Sequence, residues 1–154
     1  MPLRIREETP ADQAAIHALT EAAFRNAPHT GHTEQWIVDA LRKAGALAIS
    51  LIAEDEDGIV GHVAVSPVAL SDGSTGWFGL GPVSVTPVRQ RQGIGSMLTK
   101  LALDTLRARG AAGCVVLGDP AYYARFGFMP EPTLVLHGVP SEYFQALALR
   151  GEVP

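Results

Sequence analysis

Apolar and polar positions alternate in two periods along this chain, and the switches between them outline its elements. Leu3-Arg4-Ile5-Arg6 alternates with a period of two and predicts a short strand. Thr9-Pro10-Ala11-Asp12 then predicts a helix start, with Thr9 as cap, Pro10 in the first turn and an early carboxylate; Ile16, Leu19, Ala23 and Phe24 supply the helix's apolar face. Asn26 to Gly31 is polar and breaks the pattern. A second helix is predicted from Thr33 to Lys43, with Trp36, Ile37, Ala40 and Leu41 at helical spacing and Gly45 beyond its end. Leu47–Ala53 and Ile59–Val65 predict two strands around the acidic turn Glu54 to Gly58, whose carboxylates follow no calcium-loop order and are expected to be solvated.

After a turn at Ser71 to Ser74, Trp77–Val85 predicts a strand with three misfits. Gly79 and Gly81 weaken a ladder and Pro82 cannot donate to it, so a bulge or an edge is expected. Ile94, Met97, Leu98, Leu101 and Ala102 then mark the buried face of a helix that opens at Gly93 and stops near Gly110. Cys114 to Gly118 predicts a buried strand and Pro120 to Phe126 a short helix. Strand material follows Phe128, with the last strands at Leu134–Leu136 and Tyr143–Leu149.

Composition narrows the function classes. A chain of 154 residues is expected to form one domain, residues 1–154. Its single cysteine, Cys114, lies in an apolar run and is expected to be a buried side chain rather than a nucleophile. The net charge of -4 and the absence of a basic run argue against nucleic acid and accord with an amine substrate. No apolar run is long enough for a membrane span and no leader pattern follows Met1, which leads us to expect a cytoplasmic protein with no membrane contact. The five histidines show no metal-ligand spacing, and no metal is expected.

The chemistry concentrates where the second strand-to-helix switch occurs. An apolar strand ends at Val85, turns at Thr86-Pro87, passes Arg89-Gln90-Arg91-Gln92 and enters a helix at Gly93-Ile94-Gly95-Ser96. The first amides of a helix lack intrahelical partners and sit at the positive end of its dipole, which suits an anion. Glycine at 93 and 95 lets a phosphate approach those amides. A Walker loop is excluded because Ser96 and Met97 follow Gly95. A dinucleotide fingerprint is excluded because Leu98 stands where a third glycine is needed.

The remaining pattern, Gln-x-x-Gly-x-Gly at Gln90, Gly93 and Gly95, resembles the acetyl-CoA signature of the Gcn5-related N-acetyltransferases, the GNAT superfamily. A second GNAT-like signature, tyrosine-x3-Gly-Phe, is carried by Tyr123, Gly127 and Phe128. The element order strand, helix, helix, three strands, helix, strand, helix, two strands is similar to that family over nearly the whole chain. The resemblance implies an α/β (α+β) fold: a single-domain, mixed, mostly antiparallel sheet of about seven strands flanked by about four helices.

It further implies acetyl-CoA as cosubstrate, with the pantetheine arm along Val83, Ser84 and Val85. The pyrophosphate is then expected at Gln90, Arg91, Gln92, Gly93, Ile94, Gly95 and Ser96. The implied activity is acetyl transfer to a primary amine of a small molecule or protein by direct attack on the thioester. Tyr123 is then the candidate acid or hydrogen-bond donor toward the CoA sulfur, and a backbone amide near Val85 the candidate oxyanion donor. One departure is the compact Gly118-Asp119-Pro120-Ala121, where many members have an asparagine and a longer turn. It leaves open whether Tyr122 or Tyr123 faces the thioester. Asp119 is read as a helix cap and Tyr122 as a core ring. Glu34 is both a candidate base and a first-turn carboxylate complementing the helix dipole. His32 is read as a solvated loop residue, and His62 as packed or at the surface. A non-catalytic acyl-CoA-binding or sensing domain is the alternative. The acceptor is expected to be set by residues 26 to 34 and the C-terminal strands, and the apolar last strand is a candidate homodimer edge.

Overall fold

A computed structural model describes residues 3–27 and 32–154. His29 and the centre of the expected acceptor loop lie outside the described residues. The described elements are β1 (Arg4–Glu7), α1 (Gln13–Phe24), α2 (Glu34–Lys43), β2 (Ile49–Asp55), β3 (Gly58–Pro67), β4 (Trp77–Val85), α3 (Ile94–Ala108), β5 (Gly113–Leu117), α4 (Pro120–Tyr123), β6 (Met129–Pro130) and β7 (Phe144–Ala148). The seven strands form one mixed sheet in the order β1-β2-β3-β4-β5-β7-β6, with β4 and β5 parallel. Two compact units divide the chain: residues 1–66 with 82–102, and residues 67–81 with 103–154.

In the first unit the alternation of β2 and β3 sends Ile52 and Ala64 to the face on which α1 and α2 pack, where they bury Ile16 and Val38. Each such aliphatic side chain taken fully from water contributes roughly 1.5–3 kcal/mol. The opposite face of β3 receives α3: a Cβ at Gly61 would lie 2.9 Å from Ile94 Cγ2 and 3.0 Å from Leu98 Cδ1, so the helix sits directly on that glycine. The Pro10 turn is a 3-10 turn, with α1 proper starting at Gln13. Asp12 accepts from the Thr9 amide at 2.7 Å and from the Thr9 hydroxyl at 3.1 Å, while its outer side is held by Arg6.

In the second unit Trp77, Val115 and Ala146 form the core. Gly113 is required beneath the Trp77 ring, since a Cβ there would come within 2.4 Å of Cη2. β7 pairs with β5 on one side and with β6 on the other.

Five expectations are corrected. In α2 the expected apolar face is largely exposed, Trp36 at 60% and Ile37 at 46%, because Val38 and Gln35 are the residues turned inward. On α3, Met97 and Leu101 are exposed while Ile94, Leu98, Ala102 and Leu106 are buried; the inward stripe is shifted toward the 94-98-102-106 row. Leu134–Leu136 forms no strand, and β6 is the two-residue Met129–Pro130. β7 is not the free edge that dimerisation through it would need. Finally, β2 runs through Glu54 and Asp55, which are ion-paired rather than solvated: Glu54 with Arg4 and Arg6, Asp55 with Arg89.

Candidate active site

The cradle belongs to the first unit. The ladder of β4 with β5 covers Trp77–Leu80, and the strand continues beyond it to Val85. Along β3 and β4, Val68 donates to the Trp77 carbonyl and Thr86 to the Val60 carbonyl. Eight steps of β3 therefore face nine of β4, so β4 carries one extra residue. Gly81, with φ at 129°, takes a conformation that side chains resist, and it lies within the span that holds the extra residue.

Past Val85 the chain makes a 3-10 turn at Pro87–Arg89 and then the loop Gln90 to Gly93. Arg91 and Gly93 have φ of 65° and 85°, and Gln92 between them does not. Alternation of hand of this kind is the backbone pattern that turns successive amides to one side, and it lies just ahead of the α3 N-terminus, where an anion is favoured. A Cβ at Gly93 would meet nothing within 4 Å, so the space before these amides is open. The first α3 bond runs from the Met97 amide to the Gly93 carbonyl at 3.0 Å.

Side chains around this loop act as braces. Gln90 Nε2 donates to the Val85 carbonyl at 3.0 Å, tying loop to strand end. Arg89 Nε donates to Gln92 Oε1 at 3.0 Å, and its Nη1 pairs with Asp55, whose side chain is only 7% exposed. The Asp57 amide and Arg89 hold the Asp55 carboxyl below its usual range against the opposing effect of burial. Ile94 buries its side chain, leaving only its backbone to a ligand. Ser84 is 1% exposed between half-buried Val83 and Val85, and Arg91 is exposed. Asp55 and Arg89 form a brace that sequence reading missed. They are 34 residues apart in the chain, and only folding brings the end of β2 beside the 3-10 turn that follows β4.

Tyr123 lies in the second unit. Asp119 caps α4 by accepting from the Ala121 amide at 2.9 Å, as its position before Pro120 suggested. Gly127, at φ 98°, stops the following 3-10 turn in the left-handed region, and Phe128 then enters the core at 1% exposure. The Tyr123 ring meets Phe128 edge-on at 5.9 Å and Tyr122 at 5.0 Å. Burial pushes its phenol up to about 12, with Tyr122 and Cys114 adding to the shift. Tyr122 is half-buried rather than core, with the Arg125 guanidinium 4.5 Å over its ring. Cys114 is fully buried and its thiol is raised to about 12 by desolvation.

Glu34 opens α2 and is half-buried. His32 is exposed, with φ at 57°, and Nδ1 donates to the Phe24 carbonyl at 3.0 Å, which makes it a connector at the end of α1. His62 is fully buried. Among the described residues no group of three or more His, Cys, Asp or Glu side chains is arranged to hold a metal, and no helix is long and apolar enough to cross a membrane.

Residues 4–130 match the family model described as an acetyltransferase (GNAT) domain. This chain is a GNAT-family member. The GNAT chain is 38% identical over 125 residues to the uncharacterised N-acetyltransferase YhbS of Escherichia coli K12, covering 80% of this chain and 72% of that one. Among solved structures it is similar to a GNAT family acetyltransferase from Brucella melitensis in complex with acetyl-CoA. That likeness has a TM-score of 0.88 and 47% identity, and covers 99% of this chain and 92% of the other. It is also similar to E. coli YhbS in complex with CoA, with a TM-score of 0.83 and 34% identity over 96% and 81% of the two chains.

Proposed function

We propose that the whole chain, residues 1–154, works as one N-acetyltransferase domain that moves the acetyl group of acetyl-CoA to a primary amine of a small molecule or protein. The observation that carries this reading is the loop at Arg91 to Gly93, left-handed at both ends and open at Gly93, directly ahead of α3 in a GNAT chain whose relative from Brucella holds acetyl-CoA. The amides of Arg91, Gln92, Gly93, Ile94, Gly95 and Ser96 receive the pyrophosphate, with the Arg91 guanidinium beside them. The Gln90 side chain serves as the brace. Val83, Ser84 and Val85 offer the backbone to the pantetheine arm, and the Val85 region the oxyanion donor.

The amine must be neutral to attack, and Glu34, directly or through water, is the proposed proton acceptor. Attack forms the C–N bond, the C–S bond breaks, and a proton from the nitrogen ends on the thiol. Tyr123 is proposed to assist by hydrogen bonding to the departing sulfur. With its phenol at about 12 and a thiol near about 8.5, full transfer of its proton would be uphill by about 5 kcal/mol. Tyr123 therefore keeps its proton and lowers the barrier as a donor. Supply of acetyl-CoA goes with a cytoplasmic setting.

The test is thermal unfolding with acetyl-CoA, CoA and adenine, followed by thiol release across an amine panel. Stabilisation by acetyl-CoA and CoA but not adenine, with amine-dependent thiol release, supports the reading; a ligand at about 100 times its Kd adds roughly 2.7 kcal/mol. Stabilisation without turnover of any amine supports the non-catalytic acyl-CoA-binding alternative. No stabilisation at millimolar acetyl-CoA overturns both.

A further inference from the structure

The first turns of α1 and the last turns of α2 border a cleft of about 520 Å³, lined by Gln13, Ala14, His17, Asp39, Arg42 and Lys43. This cleft is separate from the cradle. α1 and α2 lie on the face of the sheet that carries Ile52 and Ala64, whereas α3, with the cradle at its start, lies over Gly61 on the opposite face.

The charged groups of the cleft are held in place. His17 Nδ1 lies 2.7 Å from Asp39 Oδ2. A carboxylate only accepts, so Nδ1 carries a proton and donates it, which leaves Nε2 as the ring nitrogen for the cleft. Trp36 meets the same imidazole edge-on, at 4.7 Å between ring centres. The Arg42 side chain is only 16% exposed and grips Glu8 through Nε at 2.9 Å and Nη2 at 2.8 Å, while its Nη1 reaches Asp39 Oδ1 at 3.5 Å. A guanidinium has more N–H donors than these bonds use, and the remainder are available to a ligand. Glu8 also accepts from Ser50, whose hydroxyl lies 2.8 Å from buried His62 Nε2, so the arrangement is tied into the core. Lys43 and Gln13 stand exposed at the rim, their side chains without a partner among the described residues.

Charge decides what such a cleft takes. Glu8 offsets Arg42, and Asp39 offsets the imidazole once it is protonated; Glu21, the other carboxylate that acts on His17, is paired with Arg25. Lys43 is then left uncompensated. A metal cation would face Arg42 and Lys43, with Asp39 already engaged. An oxyanion instead meets donors on several side chains, and its charge favours the protonated imidazole, whose Nε2–H then donates as well.

We propose that this cleft is a second ligand site, which takes a small-molecule oxyanion, a phosphate- or carboxylate-bearing metabolite, on Arg42, Lys43 and His17 Nε2, with Asp39 orienting the imidazole. One proton passes from solvent to Nε2 as the anion binds, and no covalent bond forms or breaks. The site does not depend on acetyl transfer.

Sulfate and succinate are the probes, titrated at constant ionic strength and pH 7.5 into the wild-type chain with CoA present to occupy the cradle. Trp36 reports locally, since it lies against His17 while Trp77 is buried; a protonated imidazole beside an indole quenches its emission. Saturable quenching is expected, and its absence in Trp36→Phe. Calorimetry in two buffers of different ionisation enthalpy should show proton uptake in the wild type and none in His17→Gln. Lys43→Gln, a change at an exposed position, should keep the wild-type Tm and weaken binding about tenfold, as for one lost hydrogen bond to a charged group.

Binding of sulfate supports a phosphate-type ligand, and binding of succinate a carboxylate. No saturable response to either anion overturns the proposal. So does a response that Lys43→Gln and His17→Gln both leave unchanged, or binding without proton uptake. Failure of CoA to bind would sink the acetyl-transfer reading alone, and an anion in this cleft would still be recognised by its loss in Lys43→Gln.

Discussion

A Cβ placed on Gly118 would stand 2.6 Å from Cε2 of Tyr123, so the ring of the proposed thiolate donor rests directly on a glycine backbone. The same residue is pinned at both ends: its amide donates to the Tyr143 carbonyl at 2.9 Å and its carbonyl accepts from Gln145 Nε2 at 3.1 Å. Backbone so held cannot retreat, and the ring must move instead. Gly118→Ala is expected to cost about 1–3 kcal/mol of stability and to lower kcat, with acetyl-CoA affinity kept. Calorimetry and steady-state kinetics on one preparation separate the two effects.

Tyr123→Phe removes only the hydroxyl. If the phenol donates to the departing thiolate, loss of a hydrogen bond to a charged atom should cost roughly 1.5–3 kcal/mol of the barrier, a fall in kcat of about 10- to 100-fold with the Kd for CoA preserved. Unaltered kcat would remove Tyr123 from the mechanism.

At the cradle, Gly93→Ala distinguishes ligand access from folding. The site has room for the methyl group, but φ at 85° strains any L residue by roughly 1–2 kcal/mol. CoA affinity should fall by tenfold or more, because the new Cβ stands where phosphate approaches the amides. Isothermal titration with CoA reads the affinity, and a melting curve reads the strain. Asp55→Asn, which loosens Arg89 without touching the cradle, should weaken CoA by a smaller factor of about 2–5, as expected for roughly 0.5–1 kcal/mol of lost positioning.

His62 makes stability depend on pH. Its folded value of about 4 lies below the ordinary 6.5, mainly through burial, with Glu8 opposing that shift and Arg42 adding to it. The unfolded chain therefore binds a proton that the fold rejects. His62's contribution is complete above pH 6.5 and is lost as pH falls toward 4, amounting to about 3 kcal/mol. Urea titrations at pH 7.5 and pH 4.5 should show a drop in wild type that is smaller in His62→Gln. An equal drop in both would assign the effect to other groups.

Cys114 should be inert in the folded protein. Its side chain is fully buried and its thiol sits at about 12, so almost no thiolate exists at pH 8. Iodoacetamide is expected to modify it only after denaturation, checked by intact mass.

Much of the proposed site's local backbone was legible in the sequence because it is made of local rules. Glycine at 93 and 127 answers a backbone demand at its own position, Asp119 with Pro120 writes a helix start, and Gly81-Pro82 announces a break in the ladder. Most of the strand and helix order followed from apolar periodicity together with turn and cap residues, which is why the family resemblance was visible.

What the sequence could not decide is which side of each element faces inward and which distant groups meet. Trp36 and Ile37 satisfy helical spacing as well as Val38 does, and only the packing of α2 on Ile52 and Ala64 selects Val38. Leu134–Leu136 has strand propensity but no described strand partner, since β6 occupies Met129–Pro130. Asp55 meets Arg89, and His62 meets Ser50 across β2 and β3, through pairing between distant segments that no local pattern encodes. The sequence by itself determined most of the elements and the turn chemistry, and it marked the loop proposed as the phosphate cradle, each a matter of a few adjacent residues. Tertiary structure decided the braces, the buried chain from Arg42 to His62 and the support beneath Tyr123, because these depend on contacts between residues that only folding brings within hydrogen-bond reach.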